Sequence, residues 1–119
     1  MAENLELIAE GLIAREGSAR GVVRRYPSSF KLDQKTPYIL VAKYTTPDLS
    51  PMFYGALGII TDEGGRYCHA AIIARELNIP CIVGTKKATK LLSDFDEVFI
   101  DATGDRGRVY KIIKGNKGR

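Results

Sequence analysis

A chain of 119 residues, 45% apolar and 27% charged, carries enough apolar side chains for one core and is too short for two catalytic domains of ordinary size. No apolar run approaches the roughly 20 residues of a membrane helix, and the start, MAENLELIAEG, has neither region of a secretory signal, so a cytoplasmic location without a membrane partner is the default. The net charge of +4 is a property of one end: from Asp105 onward six basic residues face one acid, leaving the remainder at −1, and the closing KGNKGR lacks the interleaved aromatics of a nucleic-acid surface.

The organisation expected is a single domain over 1–119, with a lead-in at 1–10, a core at 11–112 and a basic tail at 113–119. Glycines at 11, 17 and 21 among short apolar pieces predict strands with tight bends between Gly11 and Arg25. YPSSFKLDQKTP is polar, holds two prolines and reads as a surface connection. YILVAKY is a buried strand by its β-branched and aromatic content. Thr46 before Pro47 has the form of an N-cap with proline at the first helical position, so a short helix follows. LGIIT is another strand, and DEGG is the turn that leaves it.

Ala70, Ile73, Ala74 and Leu77 then repeat at helical spacing, and that helix stops near Asn78 because Pro80 cannot continue it. CIVG is a strand, KKATKLLS a short helix, and DEVFIDATGDRGRVYKII two strands around a TGDRG turn. The order predicts a mixed α/β domain with helices packed on a sheet. Cys68 and Cys81 suit neither a disulfide scaffold nor a multi-cysteine zinc site, and Cys81 reads as core.

His69, the single histidine, stands where the glycine turn becomes the helix. The first N–H groups of a helix lack intrahelical partners and make that end electropositive, while Gly64 and Gly65 let the backbone approach an anion closely. A phosphate is therefore welcome beside an imidazole, which is itself a nucleophile near neutral pH. Thr61, Asp62 and Glu63 are placed either to orient the ring or to form the turn. Cys68 reads as local packing beside the helix start. Arg75, six residues beyond His69, lies off the histidine face and reads as a structural or interdomain residue. His69 and Cys68 offer too few ligands for a metal, and none is assigned.

The segment TDEGGRYCHAAIIARELNIPCIVGT closely resembles the phosphohistidine segment of the phosphoenolpyruvate-utilising enzymes, as found in phosphoenolpyruvate synthase and pyruvate phosphate dikinase. Gly64, Gly65, His69, Ala70 through Ala74 and Arg75 stand at the positions of that motif, and GLIAREGSARGVV, YILVAKYTTPDLSP and DATGDRGRVY extend the resemblance over nearly the whole chain. The resemblance implies a swivelling β/β/α domain with His69 as a transient phosphoryl carrier, supported by Gly64, Gly65, Tyr67, Cys68 and Ala70. It implies partners too: a phosphoenolpyruvate-binding barrel domain and a nucleotide-binding or acceptor domain, in the same polypeptide or in separate subunits. Mg²⁺ is expected on those partners, with no cofactor on this chain and no turnover by the chain alone. Tyr67 departs from the family's threonine, serine or asparagine, and reads as cover for the turn or as a phenol within reach of a phosphate oxygen. The alternative function is a non-catalytic interaction or regulatory module that keeps the fold.

Overall fold

A computed structural model describes residues 3–26 and 36–114; most of the polar connection after Tyr26 and the last five residues of the basic tail lie outside the described residues. Strand β1 (Glu3–Arg15) runs through the segment expected to be a lead-in. Leu5 and Leu7 flank Glu6 in the period of a strand, and β1 pairs antiparallel with β7 (Gly107–Lys114) from Glu3↔Lys114 to Gly11↔Gly107, with a register shift between Leu7 and Ala9. The strand therefore does not break at the expected boundary. After Glu16 the chain bends, and Gly17, at φ 143°, opens β2 (Gly17–Tyr26).

Strands β3 (Tyr38–Ala42), β4 (Ala56–Thr61) and β5 (Cys81–Val83) continue from β2 as a parallel set, and β6 (Glu97–Ala102) forms the expected hairpin with β7. The mixed sheet expected from the sequence is present and closes on itself in the order β1-β5-β4-β3-β2-β6-β7. Closure removes the free edges that an open sheet would present.

Successive residues of the apolar strands serve two cores. Ile39, Val41, Ile60, Ile82, Ile100 and Val109 fill the barrel interior, whereas Leu40, Ile59, Cys81 and Val83 point outward under the helices. Burial on both faces explains why these strands read as continuous apolar runs. The interior leaves no spare room: a Cβ on Gly107 would lie 2.6 Å from Ile82 Cγ1.

Pro47 opens a single 3₁₀ turn (Pro47–Leu49), closed by the Leu49 N–H on the Thr46 carbonyl, and the expected short helix α1 (Ser50–Phe53) follows it. Helix α2 (His69–Leu77) buries Ala70, Ala71 and Ala74 on the outer core, with Ile73 and Leu77 packed beside them. It ends as predicted: Asn78 takes the left-handed conformation (φ 58°, ψ 44°), which an asparagine adopts at lower cost than most residues. Helix α3 (Ala88–Leu91) contributes Ala88 and, just beyond it, Leu92 to the barrel interior.

Ion pairs join the strand ends. Arg20 binds Glu3 through both terminal nitrogens (3.0 and 2.9 Å) and Glu97 through Nε (2.8 Å). In the basic C-terminal region, Arg106 and Arg108 face Glu10, and Lys111 faces Asp96. These surface pairings offset part of the region's positive charge. Among the described residues no helix is long and apolar enough to cross a membrane.

Candidate functional site

The parallel pairing of β3 with β4 brings the loops after both strands to one edge of the barrel. The loop after β4 carries the glycine turn and runs into α2; the loop after β3 carries Thr45. Cys68 is the N-cap of α2, and its carbonyl accepts the first helical hydrogen bond from the Ile72 N–H (3.1 Å). The amides of His69, Ala70 and Ala71 therefore have no partner within the helix. His69 is the first helical residue, where the sequence placed it, and is half-buried.

The imidazole is held on two sides. Its Nδ1 lies 3.0 Å from Thr45 Oγ1, and the Phe53 ring packs at 5.7 Å between centroids, tilted by 56°. Thr45 is only 8% exposed, so this hydroxyl is a fixed partner rather than a mobile surface group. Sequence reasoning missed it. Thr45 precedes His69 by 24 residues, and the signal that pointed there was the parallel order of the two apolar strands, which puts both loops at the same edge.

Gly64 adopts φ 122°, and a Cβ there would come within 2.9 Å of Cys68 Sγ; at Gly65 a Cβ would meet open space. The first glycine is thus required by backbone and packing, while the second leaves the approach to the helix start uncovered. The Gly65 carbonyl accepts the Cys68 N–H at 3.1 Å, closing the turn.

The remaining predicted residues divide into groups. Thr61 and Asp62 are buried behind the turn, Thr61 Oγ1 donating to the Glu63 carbonyl (2.7 Å) and Asp62 binding Thr89. Glu63 reaches outward to Lys43 at 3.8 Å. Arg75 has a local structural role: its Nη2 donates to the Arg66 carbonyl (2.6 Å), and its guanidinium lies 5.7 Å from the centre of the Tyr67 ring. Tyr67 is 85% exposed, with the Arg75 guanidinium as its neighbour. Cys81 is fully buried, and burial pushes its thiol well above the usual range; both cysteines are free thiols. Among the described residues no three histidine, cysteine or acidic side chains gather as a metal site.

This geometry, a helix-opening histidine with one nitrogen engaged beside a glycine turn, stands on the fold of the swivelling α/β phosphohistidine domains. Residues 34–105 match the family model of the PEP-utilising enzyme, mobile domain, and the chain belongs to that family. It is 48% identical over 115 residues to a probable phosphoenolpyruvate synthase of Methanothermobacter thermautotrophicus, covering 94% of this chain and 16% of that protein. The phosphoenolpyruvate synthase of Pyrococcus furiosus is 47% identical over 112 residues, covering 93% of this chain and 14% of that protein. The chain thus spans about a sixth or less of the length of these relatives. Among solved structures, the solution structure of Enzyme I (nEIt) is similar with a TM-score of 0.54 and 35% identity, over 63% of this chain and 31% of that one. The aconitase X of Thermococcus kodakaraensis, at 17% identity and a TM-score of 0.60, covers 92% of this chain and shares the fold alone.

Proposed function

We propose that this domain is a phosphoryl carrier, transiently phosphorylated on His69, that shuttles the group between a phosphoenolpyruvate/pyruvate site on a barrel domain and a nucleotide or other acceptor site on a second partner. The observation that carries the reading is the hydrogen bond between Thr45 Oγ1 and His69 Nδ1 at the open end of α2. With Nδ1–H donating to Thr45, the lone pair of the ring lies on Nε2. In the forward step Nε2 attacks the phosphorus of phosphoenolpyruvate, the P–O bond breaks, and its electron pair leaves on the enolate of pyruvate. In the onward step an acceptor oxygen attacks the phosphorus and the N–P electron pair returns to Nε2. The amide of the half-buried His69 and the backbone at Gly64 and Gly65 receive the phosphoryl oxygens between the two steps, while the buried Ala70 and Ala71 pack the helix start against the core.

The long relatives support the division of labour, because each holds several times more chain than this domain. Mg²⁺ belongs to the partners in this reading, and no step here passes through it. The test is incubation with radiolabelled phosphoenolpyruvate and a competent barrel domain. Acid-labile, base-stable label on His69, absent from His69→Ala, is the expected result; no label on the wild-type chain would leave an interaction module in place of a carrier.

A further inference from the structure

We propose, resting on the carrier reading, that Asp62 is a positioning residue whose bond to Thr89 latches the phosphate-bearing turn from behind. Among the described residues Asp62 is the one buried acid, 7% exposed. Its Oδ1 accepts the Thr89 N–H (2.9 Å) and its Oδ2 accepts the Thr89 hydroxyl (2.5 Å). Thr89 is the second residue of α3, whose N-cap is Lys87, and a lysine has no acceptor with which to cap. Asp62 supplies that acceptor from a different loop.

The tie is wider than one side chain. The Thr61 carbonyl accepts both the N–H and the hydroxyl of Thr85 (3.1 and 3.0 Å), and the Lys86 N–H donates to the Asp62 carbonyl (2.8 Å). Gly84 lies close enough that a Cβ would stand 3.2 Å from the Gly64 carbonyl oxygen. Lys86 is held at φ 72°, a conformation costly for a residue with a Cβ, which marks the loop as determined by its surroundings. The rear of the turn is thus fastened to α3, and α3 is fastened to the barrel interior through Ala88.

A helix start needs only a local acceptor, and Thr85 Oγ1 already stands 3.4 Å from the Ala88 N–H. The bond from Asp62 does something more: it couples the level of the glycine turn to a rigid element. Amides that receive charge stabilise a transfer only when they are in place before the bond forms. Asp62 touches no reacting atom in this scheme and acts through the turn.

Potassium phosphoramidate is a probe that needs no partner: its P–N bond breaks, nitrogen leaves as ammonia, and a new N–P bond forms on the histidine. With the 119-residue chain, Thr89→Val, which keeps the amide bond and loses the hydroxyl, should slow labelling of His69 five- to tenfold. Thr89→Ser should label within twofold of wild type. The ³¹P resonance of the phosphohistidine should move in Thr89→Val and Asp62→Asn and stay in place in Thr89→Ser, a response that a mere loss of stability would not give. Wild-type labelling and an unmoved resonance in both Thr89→Val and Asp62→Asn would overturn the latch. Labelling by phosphoramidate but not by phosphoenolpyruvate with the barrel would overturn the carrier reading and leave the latch judged by its own rates; a wild-type chain that neither donor labels would overturn both.

Discussion

Replacing Thr45 by valine isolates the bond that orients the histidine. Valine matches threonine in shape, so the buried pocket at this 8% exposed position stays filled and only the hydroxyl is lost. In the resting domain the lost bond is neutral, 3.0 Å long and worth about 1 kcal/mol net, so the melting temperature should fall by about 4 °C. During transfer the ring gains positive charge as Nε2 bonds to phosphorus. The same bond then becomes charge-assisted, worth about 1.5–3 kcal/mol. The difference, about 0.5–2 kcal/mol, is added to the barrier, and corresponds to roughly a 2- to 30-fold slower phosphorylation. Single-turnover labelling by phosphoenolpyruvate and a barrel domain measures it, and Thr45→Ser should recover most of the rate. Labelling of Thr45→Val within twofold of wild type, with unchanged imidazole ¹⁵N shifts, would refute the argument that Thr45 sets the ring.

Further outcomes follow from other parts of the structure. His69→Ala should abolish labelling yet keep the fold by circular dichroism, because the half-buried ring's contact with Phe53 and its bond to Thr45 are small beside the two cores. Tyr67→Phe should be labelled at close to the wild-type rate, since a side chain 85% exposed offers its phenol to solvent; a tenfold loss would show the hydroxyl assisting transfer. Asn78→Gly should leave thermal stability within about 0.5 kcal/mol, whereas Asn78→Ala should cost about 1 kcal/mol, read from denaturant midpoints. Burial raises the Cys81 thiol and the Tyr38 phenol above their ordinary values, so the unfolded chain releases these protons first as pH rises. Stability should therefore be intact at neutral pH and decline above about pH 9, the ordinary thiol value, and Cys81→Ala should flatten that decline in a pH series of melting curves.

The legible parts of the sequence were those governed by local chemistry. The spacing of Ala70, Ile73, Ala74 and Leu77 located α2, and Asn78 before Pro80 located its end. The strands YILVA and CIV were visible because both of their faces are buried. The barrel's closure was not legible, since it depends on β1 meeting both β5 and β7, pairings that leave no local mark. Residues 3–10 alternate only across Leu5, Glu6 and Leu7, the run of Leu7, Ile8 and Ala9 breaks the period, and Leu5 and Leu7 are half exposed, so the segment is easily read as a polar lead-in. At the site, His69 and the glycine turn announced themselves through residue type. Thr45 and Thr89 did not, because a hydroxyl in a loop looks the same whether or not a partner waits across the fold.

The pairing of Glu3 with Lys114 has a mechanical consequence. The two strand ends lie side by side, about 5 Å apart, and Arg20 ties Glu3 to the neighbouring strands through Glu97. A load that draws those ends apart would act on one ladder rung at a time and peel β1 from β7 in sequence. A load that carries both ends in the same direction puts no tension across the rungs at all. The barrel is accordingly built to be turned as one body and poorly built to be stretched, and pulling experiments with handles at residues 3 and 114 should open it at low force.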